Sequence, residues 1–170
     1  MRYFVNFPEV VYPLEDRAKT ITNISLRFKI NDFVRKNAPV YYPYIIKEGE
    51  TPEVIATAYY GHPRFVWLIY AANDIIDPLF EWPLDYENFS NYIRKKYGSI
   101  EEAMTTVHHY ENGDGLIVDL LTYNSLLAAD RASIDCYSYE HDLNEARRNI
   151  KLIDSRYINQ IEKELQNIFK

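Results

Sequence analysis

Four histidines, His62, His108, His109 and His141, and one cysteine, Cys136, are the residues on which metal binding or nucleophilic chemistry would have to rest. His108 and His109 are adjacent in a run with strand character, so regular alternation directs them to opposite faces, where they cannot share one ion. His109 and Glu111 share a face and leave a two-ligand pair, short of the roughly three to four ligands that zinc sites use. Cross-strand polar pairing is the expected role of these side chains. Cys136 and His141 are separated by an odd number of positions, which sets them on opposite faces if the stretch is a strand. No serine or cysteine has a base and an orienting acid in a recognisable arrangement. Gly113 and Gly115 belong to a turn, not to a phosphate-binding loop, and Glu101 and Glu102 read as first-turn helix charges. The sequence therefore predicts no catalytic residue, no metal site and no cofactor.

The elements that would carry these residues are set by composition. The chain has 170 residues, 47% hydrophobic and 26% charged, enough apolar matter for a folded core. Net charge is −6, unevenly placed: residues 1–43 hold seven basic against four acidic side chains, residues 44–135 six against fifteen, and residues 136–170 six of each. An acidic middle and a dilute basic arm exclude the dense cationic face that nucleic-acid binding needs. The longest apolar run, residues 65–72, falls well short of the ~18 residues of a membrane span, and asparagine, proline and glutamate interrupt the N-terminus before an export signal could form. The lone cysteine excludes an internal disulfide and fits assembly in a reducing compartment. All eight prolines lie at or before Pro83, so the chain changes character there.

Residues 20–30 alternate as a strand with Ile24, Leu26, Phe28 and Ile30 on one face. Residues 41–47 read as a short strand. Thr51 as N-cap, Pro52 at the first helical position and Glu53 in the first turn predict a helix to Tyr60, with Val54, Ile55 and Ala58 as its apolar face and Gly61 as its left-handed terminator. Pro63 opens a second helix, apolar nearly all round, that Asn73 ends in the left-handed conformation. Asp85 caps a third helix carrying Phe89, Ile93 and Tyr97 and closed by Gly98; Ser99 and Glu102 form a capping box for a fourth. Residues 106–111 and 116–120 around Asn112-Gly113-Asp114-Gly115 read as a hairpin. Residues 137–153 fit two templates: alternation through Tyr137, Tyr139, His141 and Leu143 favours a hairpin, and a stripe from Leu143 to Ile168 at about 3.6 residues per step favours one long helix. A terminal helix over residues 157–169 holds in both.

The string Tyr44-Ile45-Ile46-Lys47-Glu48-Gly49-Glu50-Thr51-Pro52-Glu53-Val54-Ile55-Ala56, followed by Leu68-Ile69-Tyr70-Ala71-Ala72-Asn73, resembles a LysM module. It departs from that pattern at the closing strand, where Gly-x-x-Leu-x-Ile-Pro is replaced by Asp77-Pro78-Leu79-Phe80-Glu81-Trp82-Pro83-Leu84. The ordered series Tyr60-Gly61-His62-Pro63, Trp67-Leu68-Ile69, Asn73-Asp74, Asp77-Pro78, Lys96-Tyr97-Gly98, a His-Tyr-Glu hairpin, Asn144-Glu145 and a terminal Ile-Asn-Gln-Ile helix resembles the baseplate wedge protein 53 family of contractile-tailed bacteriophages.

That resemblance implies an α+β protein with a LysM-like βαα(β) module, an extended N-terminal arm, β-hairpins and a C-terminal helix. The chain divides into residues 1–40 (arm), 41–84 (LysM-like module), 85–136 (helices and hairpin) and 137–170 (hairpin or helix, then the terminal helix). The implied role is structural: a virion tail-baseplate component, assembled in the host cytoplasm and present in multiple copies per sixfold baseplate. It would connect other baseplate wedge and hub-proximal proteins without catalysis, without nucleic acid and without a membrane. Phe4, Phe7, Tyr12, Tyr41 and Tyr42 are the candidate partner-binding residues, because aromatic rings in an arm with little core bury large areas at low rotamer cost. The alternative is binding of peptidoglycan or chitin oligosaccharide between two loops, with Gly49, Glu50, Thr51, Asn73 and Ile75 as the candidate glycan-binding residues.

Overall fold

A computed structural model of the chain describes residues 7–14, 17–25 and 40–168, with side chains through residue 163. Phe4 and the positions Leu26, Phe28 and Ile30 lie outside the described residues. The chain forms two units, one from the described parts of residues 1–45, 50–81 and 150–170, the other from residues 46–49 and 82–149. The mixture of helices and small antiparallel sheets is α+β.

In the first unit, β1 (Glu9–Leu14) and β2 (Arg17–Thr22) form an antiparallel hairpin with Val10 opposite Ile21 and Tyr12 opposite Lys19. The strand expected over residues 20–30 thus ends early, at Thr22, and a turn follows at Ile24 and Ser25, where the Asn23 side chain accepts from the Ser25 N–H and hydroxyl. An asparagine that captures the backbone two residues on is a turn former, and it outcompetes strand alternation here. β3 (Tyr41–Ile45) leads through Gly49 to α1 (Pro52–Tyr60), where the Thr51 hydroxyl caps the Val54 N–H and Gly61, at φ 79°, donates to Thr57 O. The buried face of α1 is Pro52, Ile55, Ala56 and Tyr60; Val54 and Ala58, expected on that face, are exposed. A 3-10 turn at Pro63–Phe65 precedes α2 (Val66–Ala72). Asn73 ends α2 at φ −112°, so it is not the left-handed residue; Asp74 is, at φ 55°. α3 (Pro78–Glu81) is a single turn whose Glu81 carboxylate accepts the Asp77 N–H at 2.9 Å.

The second unit opens its helical part with α4 (Tyr86–Tyr97), capped by Asp85 and closed by Gly98 at φ 90°, then α5 (Ile100–Thr105), where the Ser99 hydroxyl accepts from the Glu102 N–H. Spacing by four puts Phe89 and Ile93 of α4 on one stripe, and they pack with Ala103 and Cys136 as a core flanked by Leu84, Tyr97, Ile100 and Tyr137. β4 (Val107–Asn112) pairs with β5 (Ile117–Val118), as expected of the hairpin, but β5 is short because Asp119 caps α6 (Leu120–Ser125). The other edge of β4 is taken by β6 (Arg131–Asp135), which sequence periodicity did not reveal.

Neither template for residues 137–153 holds whole. Asp135 caps α7 (Cys136–Ala146) through the Ser138 N–H, so the favoured hairpin over Tyr137 to Leu143 is a helix, while Asn149–Ile153 is a strand, β7, that breaks the long-helix alternative. β7 buries Ile150, Leu152 and Ile153, exposes Lys151, and pairs with β3. Bonds from Ile46 N–H to Arg148 O (2.9 Å) and from Asp154 N–H to Val40 O (2.8 Å) set the two strands antiparallel. The strand that completes the β3–α1–α2 segment therefore comes from far along the chain, not from residues 77–84, which turn through α3. The terminal helix, α8 (Ile158–Ile168), follows a 3-10 turn capped by Asp154.

Candidate functional site

The histidine pair is arranged differently from regular alternation. A bulge between Val107 and His109 makes His108 the additional residue opposite β6, and the two rings come together with Nδ1 to Nδ1 at 2.8 Å. His109 Nε2 lies 2.9 Å from Glu111 Oε1. A carboxylate only accepts, so His109 Nε2 donates to Glu111, its Nδ1 is left as acceptor, and His108 Nδ1–H donates to it; this tautomer assignment follows from the network. The His108 ring stacks on Tyr139 of α7 at 3.7 Å. The pairing is therefore within β4 and onto a helix, not across strands. Among the described residues no group of three or more His, Cys, Asp or Glu could hold a metal ion. Cys136 and His141 share α7, not a strand: Cys136 is in the core, and exposed His141 stacks against Tyr137.

The most developed polar cluster in the second unit is one that sequence reading did not single out. Glu140 of α7, 7% exposed, accepts hydrogen bonds from Lys96 Nζ and from the hydroxyls of Tyr97 (2.9 Å) and Tyr92 (3.0 Å). Burial alone raises a carboxyl pKa, but the bonds from Lys96, Tyr97 and Tyr92 outweigh it and hold Glu140 below the usual carboxylate range. The Tyr97 hydroxyl is pushed up to about 12, first by burial and then by its bond to Glu140. Every oxygen of the acid is engaged, so the cluster clamps α4 to α7 and offers no free base. Arg148 does similar work, donating to Glu145 Oε1 (2.7 Å), Glu48 Oε2 (2.6 Å) and the Ile46 carbonyl (3.4 Å).

The two sets of sequence candidates fall as follows. Of the aromatic set, Phe7 is buried at 5% exposure, Tyr41 is half-buried, and Tyr12 and Tyr42 are 53% and 54% exposed. Of the glycan set, Gly49 is an exposed turn residue at φ 71°, Thr51 caps α1, Glu50 accepts the Tyr44 hydroxyl at 2.8 Å and Ile75 is half-buried. Asn73 donates to Ile69 O and Lys151 O and accepts from Lys151 N, each at 2.8 Å. Its amide thus reproduces a backbone bridge onto β7, an internal task that uses its polar atoms.

The family model of base plate wedge protein 53 matches residues 4–126. The chain belongs to that family. It is also similar to baseplate wedge protein gp53 of Enterobacteria phage T4, 27% identical over 183 aligned residues that cover 93% of each chain. Membership makes the chain a structural component of a bacteriophage tail baseplate, located in the virion.

For a wedge protein 53 family member the informative residues are those that could meet other proteins. Beyond the hairpin, two segments expose large apolar side chains. Ile76, Leu79 and Phe80, around α3, are 64%, 85% and 73% exposed. Leu116, Ile117, Leu121 and Leu127, around β5 and α6, are 62%, 72%, 83% and 74% exposed. Exposed apolar groups gathered along a segment mark interaction sites, whereas scattered ones do not. Sequence reading passed over both: residues 77–84 stood out only as a departure from the LysM closing strand, and residues 116–120 as one strand of a hairpin. The available signal was Leu79-Phe80 directly after the Asp77-Pro78 turn, two bulky apolar residues with no helix or strand long enough to bury them.

Proposed function

We propose that this chain is a multipoint connector of the baseplate wedge, joining other wedge and hub-proximal subunits through contacts on separate segments and performing no catalysis. The observation that carries the reading is the distribution of exposed apolar side chains over the N-terminal hairpin, the α3 segment and residues 116–127, beside buried Glu140 and Asn144, whose hydrogen bonds are made within the chain. Several modest contacts on one chain combine through high effective concentration, so no single one needs high affinity. Tyr12 and Tyr42 are the members of the aromatic set that would reach a partner. The order β3, α1, α2 and β7 supports a LysM-like module whose closing strand is supplied by residues 149–153.

The test is co-expression of the full chain with the other wedge proteins of the same phage, alongside a variant lacking residues 1–40. Stable co-purification of the full chain, weakened in the variant, is the expected outcome. Retention on peptidoglycan with no wedge subunit bound would sink the proposal.

A further inference from the structure

The hairpin has one edge open to a further strand and one edge blunted. The Asn23 N–H donates to Pro8 O at 2.8 Å, which makes Pro8 and Asn23 a hydrogen-bonded pair. Antiparallel pairing alternates, and the register carries this pattern to Val10 with Ile21, Tyr12 with Lys19 and Leu14 with Arg17. The main-chain groups of Glu9, Val11 and Pro13 on β1, and of Ala18, Thr20 and Thr22 on β2, therefore point outward. Pro13 has no N–H, so the outer edge of β1 lacks one of its three outward donors, a common means of keeping an edge from pairing. The outer edge of β2 contains no proline, among the described residues the sheet ends there at two strands, and each residue of β2 is exposed.

From this asymmetry we infer that the outer edge of β2 receives an extended strand of another wedge protein, adding a third strand to the hairpin. The inference rests on the connector reading for the class of partner. The side chains of β2 state the partner's chemistry. Arg17, Lys19 and Ile21 share one face with Val10 and Tyr12, and no acid occurs within β2. The incoming strand is acidic where it passes Arg17 and Lys19, apolar beside Ile21, and β-branched or small on the other face, beside Ala18, Thr20 and Thr22. A second copy of this chain fits poorly, because edge-to-edge β2 pairing doubles the cations and supplies no carboxylate. A two-stranded hairpin is only marginally stable alone in water, so a third strand also supplies what the arm lacks.

Hydrogen exchange on the unaltered full chain, free and co-assembled with the other wedge proteins of the same phage, reads the edge directly. The Ala18, Thr20 and Thr22 amides gain protection on assembly, and those of Glu9 and Val11 do not. Thr20→Pro removes one outward donor without touching a bond inside the hairpin, and lowers co-assembly about tenfold; Val11→Pro, its counterpart on the blunted edge, leaves it within about twofold. Charge reversal of Arg17 and Lys19 to glutamate, which leaves the backbone intact, also lowers co-assembly, and added salt narrows its difference from the unaltered chain. A chain that assembles without gaining protection at residues 18, 20 and 22 overturns strand addition and leaves the connector role standing. A chain that joins no wedge protein overturns both.

Discussion

The N-terminal hairpin and the α4–α7 helices treat polar groups in opposite ways. In the hairpin, main-chain donors and acceptors along β2 face outward beside exposed Val10, Val11, Tyr12 and Ile21. Between α4 and α7, Glu140 is surrounded by Lys96, Tyr92 and Tyr97, and buried Asn144 closes a two-point bridge to Leu84, accepting its N–H at 2.8 Å and donating to its carbonyl at 3.0 Å. A buried polar group without a partner costs far more than a paired one returns, so a satisfied interior fixes one arrangement. An open strand edge has the reverse property: it is tolerable in water and becomes specific only when another chain completes it. The helices thus close their polar groups against one another, and the hairpin leaves its edge groups to water.

The largest expected effect that would break this contrast is in the helical core. Phe89→Ala removes a ring that is 5% exposed and should cost about 3–5 kcal/mol in urea unfolding; a loss below about 1 kcal/mol would dissolve the assigned core. Next is Glu140→Ala, expected to cost about 1–3 kcal/mol, moderated because Lys96 is 46% exposed and regains water. The sign with pH follows from the lowered Glu140 pKa. Its contribution is complete above the ordinary glutamate range of about 4.3 and is lost as pH falls through the lower folded value. Glu140→Gln should therefore flatten the acid limb of the stability curve, measured as Tm against pH; an unchanged limb would mean the acid is not held ionised.

Smaller effects sharpen the comparison. Asn144→Ala, at 5% exposure, should cost about 1–3 kcal/mol, and Asn73→Ala, the same bridge in a half-buried place, should cost less. Thr51→Ala removes one helix cap and should cost about 1 kcal/mol by thermal unfolding. Tyr12→Ser comes last: stability within about 0.5 kcal/mol of the parent, with weaker co-purification of wedge proteins. Equal loss of stability at Tyr12 and Asn144 would erase the distinction between an outward arm and a closed interior.

How much of this was legible in the chain depended on distance along it. The caps at Thr51, Asp85 and Ser99 and the terminators Gly61 and Gly98 were readable because each acts on a backbone group within four residues. Strand character at residues 41–45 and at 107–112 was readable for the same reason. Alternation misled at Tyr137 to Leu143, where the Asp135 cap and the packing of Cys136 against α4 and α5 overrode it. It misled again at His108, where a bulge, set by the partner strand's register, turned two rings toward each other. Among the candidate contact residues, the exposure of Tyr12 was expected from the sequence, whereas that of Leu79, Phe80 and Leu121 was not, since exposure depends on what fails to cover a side chain.

By itself the sequence determined α1, α4 and α5 with their caps and terminators, the α+β class and the ordered motifs that mark the family, because these rest on interactions between near neighbours. Only the tertiary structure decided that residues 149–153 complete the sheet begun at residue 41. It likewise paired Arg148 with Glu48 and Glu140 with Lys96, and it left the outer edge of β2 without a further strand among the described residues. Those outcomes join or separate residues far apart in the chain. Local pattern carries no record of which distant strand, charge or edge will be nearby once the backbone has closed.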